Sequence, residues 1–98
     1  MVTIARTATF DRWLRGIRDP RARLQIARRL DRARAGNFGD FRPVGEGVSE
    51  LRIDVGPGYR IYFCRVGDAV YLLLAGGSKA TQRRDIHRAL VMARSLTE

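Results

Sequence analysis

The residue types best suited to chemistry lie in the segment from Gly76 to His87. Two glycines there are followed by Ser78 and Lys79, and Thr81 is the expected N-cap of a final helix. Free backbone N–H groups and the positive end of a helix bind anions, so these residues fit a phosphate cradle. A plain turn from a strand to a helix fits them as well. The segment therefore predicts either a phosphate-binding loop or a structural connection.

Proton transfer is a possible role for two side chains of the predicted final helix. His87 is the only histidine, and its imidazole titrates near neutral pH, which suits a general acid or base. The plain alternative is a surface histidine one position from the apolar stripe of the helix. Asp85 is either a helix carboxylate without a role or the group that orients Lys79 or an arginine.

No metal or cofactor is expected. The chain has one cysteine and one histidine, which excludes a Cys-ligated zinc site and a multi-histidine metal site. The sequence also lacks a P-loop and a GxSxG motif. Cys64 is predicted to be a packed, unreactive thiol that fills space as a small apolar group.

The charge of the chain points to an anionic partner. Nineteen basic residues stand against 10 acidic ones, so the formal net charge is +9. All but one of the basic residues are arginines, which recognise phosphate through a planar pair of donors. Nucleic acid or the ribosome is the expected partner. An acidic protein is the alternative.

Length and composition indicate one small domain over residues 1–98. The hydrophobic content of 45% excludes a disordered chain despite 30% charged residues. The longest apolar run, Ala69 to Ala75, is too short to cross a bilayer. The first residues lack the apolar stretch of a signal peptide. A soluble, cytoplasmic protein with no membrane partner is expected.

Changes in hydrophobic periodicity predict an α+β domain with the element order β-α-α-β-β-β-α. A short strand over residues 2–6 precedes two helices, for which Thr9 and Asp19 are the expected N-caps. The two helices form an antiparallel hairpin that covers one face of an antiparallel sheet, because the strands alternate apolar and polar residues. The expected later elements are a loop over 36–47, strands over 48–55, 59–66 and 69–75, a loop over 76–80 and a last helix to about Leu96.

The pairing of the last two strands predicts a polar sheet face. A two-residue turn at Gly67-Asp68 places Arg60 opposite Ala75 and Cys64 opposite Tyr71. The face away from the α-hairpin then holds two arginines and two tyrosines: Arg52, Arg60, Tyr62 and Tyr71. Side chains of these types suit a surface that contacts RNA.

Three strings of the sequence and one N-terminal pattern carry a resemblance to a known family. They are Glu50-Leu51-Arg52, Gly58-Tyr59-Arg60-Ile61-Tyr62-Phe63, and the G-G-x-K-x-x-Q-x-x-D-I string over 76–86. An opening of the form T-x-x-F-x-x-W-L is supplied by Thr7, Phe10, Trp13 and Leu14. Over nearly the whole chain, these residues resemble the HigB-like, addiction-module killer branch of the RelE/ParE toxin superfamily. The predicted order of elements matches the fold of that family.

The resemblance implies the toxin of a type II toxin–antitoxin pair. Many members cut mRNA in the ribosomal A site without a metal, by attack of a ribose 2′-OH on the adjacent phosphate. That reaction needs cations to stabilise a developing phosphorane and groups that move protons. The family pattern assigns the cationic roles to Arg60, Lys79 and Arg52.

The family pattern is followed less closely at the C-terminal end. RelE-type toxins have a C-terminal tyrosine, whereas no tyrosine follows Tyr71 in this sequence. His87 or Asp85 is the expected substitute. Substrate binding is assigned to Tyr62, Tyr71 and Gln82.

The resemblance also implies partners. They are a cognate antitoxin of the helix-turn-helix type, mRNA and the ribosome, with operator DNA bound only through the antitoxin. Two other functions stay open at this point. One is a non-catalytic inhibitor of DNA gyrase, as the ParE side of the superfamily implies, and the other is a plain RNA- or protein-binding module.

Overall fold

The computed structural model describes residues 1–96, which form an α+β fold with five strands and three helices. In chain order, the elements are β1 (Thr3–Arg6), α1 (Ala8–Arg15), α2 (Pro20–Arg34), β2 (Phe41–Gly45), β3 (Val48–Ile53), β4 (Tyr59–Gly67), β5 (Val70–Ser78) and α3 (Gln82–Ser95), with a 3₁₀ turn over Lys79–Thr81 before α3. No helix within residues 1–96 has both the length and the apolar character needed to cross a membrane.

The sheet is mixed rather than antiparallel, and it has one strand more than the sequence predicts. The strand order is β1-β5-β4-β3-β2, and β1 runs parallel to β5 while the other neighbours are antiparallel. The extra strand, β2, lies in the segment predicted to be a loop. Its Pro43 is tolerated because β2 is an edge strand, where a missing N–H need not break the hydrogen-bond ladder. Glycine and proline content alone therefore misidentified an edge strand as a loop.

The helical hairpin of α1 and α2 covers one face of the sheet, as predicted. Ile26 and Leu30 of α2 are buried in one core with Phe10 of α1 and with Leu51 and Ile61 of the sheet. Full burial of one such side chain contributes about 1.5–3 kcal/mol relative to exposure. The alternation of apolar residues along β3 and β4 was therefore a reliable signal for this face.

The start of each hairpin helix is set by a side-chain cap. Asp19 caps α2 as predicted, because its carboxylate accepts the Arg21 N–H at 3.0 Å. Helix α1 begins earlier than predicted, since Thr7 rather than Thr9 accepts the Phe10 N–H, at 3.0 Å. The Thr7 hydroxyl also donates to a β5 carbonyl at 2.7 Å, so this cap joins α1 to the sheet.

Helix α3 covers the opposite face, which the sequence predicted to be open for RNA. Tyr62, Cys64 and Leu74 of the sheet form a second core with Ala89 and Ala93 of α3. Tyr62 is fully buried there. Most of this face is therefore a packing surface for α3 instead of an RNA platform.

The register between β4 and β5 differs from the predicted one. The tight turn is Asp68-Ala69 instead of Gly67-Asp68, because Gly67 pairs with Val70. An irregularity between Arg65 and Gly67 then shifts the register by one residue, so that Cys64 pairs with Leu72 and not with the neighbouring Tyr71. A one-residue slip moves a side chain to the other face of a sheet. The prediction that Tyr71 shares the face of the arginines is therefore wrong.

A second irregularity in the same strand pair shifts the register by one more residue, so that the β4 residues before it point to the faces that the sequence predicted. It lies between Tyr62 and Phe63. Beyond it, Arg60 keeps its predicted face but pairs with Gly77 instead of Ala75. The residues Arg52, Arg60 and Tyr62 thus share one face, as predicted, and the partner of Arg60 on β5 is a residue without a side chain.

We expect the thiol of Cys64 to be unreactive in the native protein. Cys64 is 7% exposed, and burial raises the pKa of its thiol, which suppresses the reactive thiolate near neutral pH. A thiol reagent followed by absorbance should label native protein far more slowly than protein in denaturant, and Cys64→Ala should lower the free energy of unfolding by about 1 kcal/mol. Equal labelling rates in the two states would contradict this expectation.

Candidate functional site

Two cationic side chains meet at the turn between β3 and β4. The Nη1 atom of Arg60 and the Cβ atom of Lys79 lie 3.6 Å and 3.5 Å from the point where a Cβ of Gly58 would be. The Lys79 N–H donates to the Gly58 carbonyl at 2.8 Å, which ties the 3₁₀ turn to the β3–β4 connection. The guanidinium of Arg60 and the aliphatic stem of Lys79 therefore both lie beside Gly58, and we call Arg60 and Lys79 around Gly58 the cation site.

The two cations of this site differ in how firmly they are held. Arg60 is 3% exposed, and its Nη1 donates to the Tyr59 carbonyl at 2.9 Å. Its Nε lies 3.9 Å from Glu50 Oε1, and its Nη1 lies 3.8 Å from Asp54 Oδ1. Acidic neighbours of this kind offset the cost of burying a guanidinium group. Lys79 is exposed, so the site combines one fixed charge with one accessible charge.

Glu50 organises the inner side of the site. It is fully buried, and its Oε2 accepts hydrogen bonds from Gln82 Nε2 at 2.7 Å and from the Tyr62 hydroxyl at 3.2 Å. Arg42 Nε lies 3.5 Å from its Oε1. Sequence reasoning missed Glu50 as a site residue. The usable signal was an acidic residue on the same strand face as Arg52 and Arg60.

The residues predicted to bind substrate have other contacts in the structure. Burial, followed by the charge of Glu50, raises the pKa of Tyr62, so this buried phenol stays protonated and donates to Glu50. Gln82 donates to the same carboxylate. Tyr71 packs on the α-hairpin side of the sheet, with ring centroids 4.9 Å from Phe38 and 6.1 Å from Phe63. Tyr62 and Gln82 hold Glu50, and Tyr71 fills the core.

Arg52 lies beside Arg60 on the same face, as predicted, because the two residues pair directly across β3 and β4. Within residues 1–96, three buried side-chain atoms of this region have no hydrogen-bond partner: Arg52 Nε, Arg60 Nε and Glu50 Oε1. Arg60 Nε and Glu50 Oε1 lie 3.9 Å apart as an ion pair. Buried polar groups nearly always have a partner. Arg52 Nε is therefore the spare donor of this pair, whereas Arg60 Nε faces the carboxylate of Glu50.

The glycines that suggested a phosphate cradle belong to β5 and not to the predicted loop over 76–80, because β5 continues to Ser78. Gly77 pairs with Arg60, and a Cβ on Gly77 would overlap the Asp85 carboxylate. A Cβ on Gly76 would overlap the indole of Trp13. Each glycine is thus required by a side chain packed tightly on one face of β5. The alternative of a structural connection fits these residues better.

The two predicted proton-transfer groups have different environments on α3. Asp85 is 2% exposed and accepts a hydrogen bond from the Thr81 hydroxyl. Its Oδ1 lies 3.5 Å from Arg84 Nε. His87 is exposed, borders a surface pocket of about 670 Å³ and forms no hydrogen bond or ion pair within residues 1–96. Asp85 therefore anchors the start of α3, whereas His87 is accessible to a ligand.

Comparison with known proteins shows a relative that is similar over nearly its whole length. No family model matches the chain. A protein of Haemophilus influenzae, described as an uncharacterized protein, is 43% identical over 95 residues, which cover 97% of this chain and 96% of that protein. Since the similarity extends over nearly the whole of both chains, it includes every element that builds the cation site.

Proposed function

The chain belongs to the same family as the Haemophilus influenzae protein, and from this starting point we propose a function that the cation site supports. The proposed function is that of a metal-independent endoribonuclease, the toxin of a type II toxin–antitoxin pair, which cuts mRNA on the ribosome. The α+β sheet with its N-terminal α-hairpin is compatible with a RelE-like fold, to which we assign the chain.

The observation that supports this proposal most is the convergence of Arg60 and Lys79 on Gly58. These are two of the three positions to which the RelE/ParE resemblance assigns the cations, the third being Arg52. In the cleavage reaction, negative charge develops on the phosphate as the 2′-OH attacks, and fixed cations stabilise that charge most when they are already in place. Arg60 meets this condition because Glu50 and the Tyr59 carbonyl hold its guanidinium.

Each side chain around Arg60 has a proposed role. Glu50 orients Arg60, and Tyr62 and Gln82 in turn orient Glu50 through their hydrogen bonds. Arg52 extends the positive surface next to Arg60. In this proposal, a buried carboxylate sets the direction of a guanidinium group that binds phosphate.

Of the two groups predicted to transfer protons, Asp85 and His87, we assign this role to the one that is accessible. The reaction needs a base for the 2′-OH and an acid for the leaving 5′-oxygen. Asp85 already accepts a hydrogen bond from the Thr81 hydroxyl and is packed against Gly77, so its carboxylate has a structural role. His87 is exposed, and we assign it as the candidate acid.

The proposed partners follow from the same function. The net charge of +9 suits contact with ribosomal RNA and mRNA, and it suits neutralisation by an antitoxin, which we expect to be a helix-turn-helix protein. Operator DNA would be bound only through that antitoxin. We place this activity in the cytoplasm, where ribosomes and mRNA are found.

One observation favours the second candidate, a non-catalytic inhibitor of DNA gyrase. Within residues 1–96, His87 makes no hydrogen bond that would orient its ring, and Arg60 is partly neutralised by Glu50. A surface of this kind can bind an acidic protein partner without reacting. The nuclease ranks first because the cations coincide with the positions that the resemblance assigns to catalysis.

Mapping transcripts by primer extension after brief expression separates these two functions. We expect new 5′ ends in phase with codons, which disappear when the antitoxin is co-expressed. The matched control is Arg28→Ala, an exposed arginine on α2, which should leave the cuts unchanged. DNA breaks or altered supercoiling without such cuts would contradict the nuclease and support gyrase inhibition.

A further inference from the structure

A second pocket lies at the outer edge of β5, between α1 and α3. The parallel pairing of β1 with β5 ends at Leu73, so this edge of β5 has no partner strand along residues 76–78. The pocket has a volume of about 360 Å³, which is in the range that holds a small ligand. Its lining includes two aromatic rings and three arginines, together with one carboxylate: Trp13, Tyr59, Arg12, Arg84, Arg88 and Asp85.

The aromatic side of the pocket is held in place by packing. Trp13 and Tyr59 meet edge to face, with ring centroids 6.2 Å apart and an interplanar angle of 66°. The indole of Trp13 also lies directly over Gly76. Both rings are only partly buried. A fixed, partly exposed aromatic ring offers a stacking surface for a nucleobase, and such stacking tolerates any base.

The basic side of the pocket is built from two helices. Arg12 comes from α1, while Arg84 and Arg88 lie four residues apart on α3 and therefore on one helix face. All three are exposed, and Arg12 and Arg88 form no ion pair within residues 1–96, whereas Arg84 Nε lies 3.5 Å from Asp85 Oδ1. Like charges at this spacing repel each other in the free protein. A phosphate bound between Arg84 and Arg88 would relieve that repulsion.

We propose that this pocket binds one nucleotide of a single-stranded nucleic acid, with the base on Trp13 and the phosphate between Arg84 and Arg88. Two residues of the pocket, Tyr59 and Ser78, directly precede Arg60 and Lys79 of the cation site along the chain. Because successive strand residues point to opposite faces of a sheet, Tyr59 and Arg60 face different sides, and the pocket is a site separate from the cation site. Identification of the strand as mRNA rests on the proposed function, whereas binding of the nucleotide does not.

Trp13 is the only tryptophan, so its fluorescence reports directly on the pocket. We expect AMP to quench this fluorescence saturably at constant ionic strength, and ribose 5-phosphate, which has the phosphate but no base, to leave it unchanged at the same concentrations. Arg88→Gln should weaken AMP binding about tenfold, because a charge-assisted contact is lost. Excitation at the red edge of tryptophan absorption avoids absorption by AMP.

The matched control is Arg83→Gln, on the same helix. Arg83 is also exposed but borders other pockets, so its loss should change AMP binding less than about twofold through the general field alone. Equal quenching by ribose 5-phosphate, or equal weakening by Arg83→Gln, would overturn the proposal and leave only an anion-attracting patch. Quenching by an unphosphorylated extended peptide but not by AMP would also overturn it, and would identify the β5 edge as a site for strand addition.

Failure of this inference and failure of the proposed function give different results. The titration uses the isolated protein and no ribosome. Absence of AMP binding therefore leaves the pattern of mRNA cuts standing. Absence of mRNA cuts leaves a saturable, base-dependent titration standing, and the pocket then serves a non-catalytic nucleic-acid-binding protein.

Discussion

Lys79→Ala should abolish growth arrest while the protein still folds and binds its antitoxin. Lys79 is exposed and forms no ion pair within residues 1–96, so its removal leaves no buried partner uncompensated. Loss of one electrostatic contact to a transition state typically lowers the rate by about 10²–10³. Growth curves and primer extension at matched expression measure the effect, and Arg28→Ala is the control for loss of one positive charge.

Arg60 requires a different substitution because of its burial. Arg60→Ala would leave Glu50 buried without this guanidinium, and breaking a buried ion pair costs about 3–5 kcal/mol, so unfolding would mimic loss of function. Arg60→Lys keeps the charge but loses the planar fork that contacts phosphate. We expect Arg60→Lys to fold, by circular dichroism and antitoxin binding, and to lose growth arrest.

The pair of variants tests the proposed mechanism directly. Full toxicity of both Lys79→Ala and Arg60→Lys at equal expression would refute the nuclease mechanism and place the gyrase inhibitor first. Loss of toxicity in Lys79→Ala together with persistent codon-phased cuts would also refute it, because the cuts would then not depend on the cation site. His87→Ala then measures the contribution of the candidate acid on the same scale.

Gly76→Ala should be among the most destabilising single-methyl changes in the chain. An added Cβ would overlap the indole of Trp13, which is wedged against Tyr59 and Phe10 by ring contacts. Overpacking of this kind typically costs about 1–3 kcal/mol. For a domain of this size, each kcal/mol lowers Tm by about 4–8 °C, so thermal unfolding followed by circular dichroism resolves the effect.

The matched control is Gly67→Ala at the far end of β4. A Cβ there would make only ordinary contacts with Val70, the nearest atom being 3.5 Å away, so the free energy of unfolding should change by less than about 0.5 kcal/mol. In a Trp13→Ala background, Gly76→Ala should cost much less than in the parent chain, because the overlapping ring is gone. Additive effects of the two substitutions would show that the indole is not the cause.

The sequence by itself determined the α-hairpin and the sheet face that it covers. Pro20 after Asp19 marks the start of α2, and the apolar residues Ile26 and Leu30 mark its buried side. These signals are local, because a cap and a periodic stripe depend only on neighbours along one helix. The position of Arg60 on the opposite face was also predictable, since alternation along a strand is local too.

Only the tertiary structure decided what that opposite face does. Placement of Tyr71 depended on an irregularity between Arg65 and Gly67, and the pairing of Arg60 with Gly77 depended on a second one near Tyr62. Neither feature has a clear local signature, although a shift of one residue exchanges the two faces of a sheet. The covering of Tyr62 by α3 depends on contacts between residues distant in the chain.

In the cation site, too, the sequence determined some features and the tertiary structure determined others. The types and spacing of Arg60 and Lys79 indicated two cations for one phosphate, and chain geometry around Gly58 brought them together. The buried Glu50 that holds Arg60 was visible in the sequence only as one more charged residue in an alternating strand. Its role arises because α3 folds over that strand and removes the carboxylate from water, which makes its contacts with Arg60, Tyr62 and Gln82 necessary.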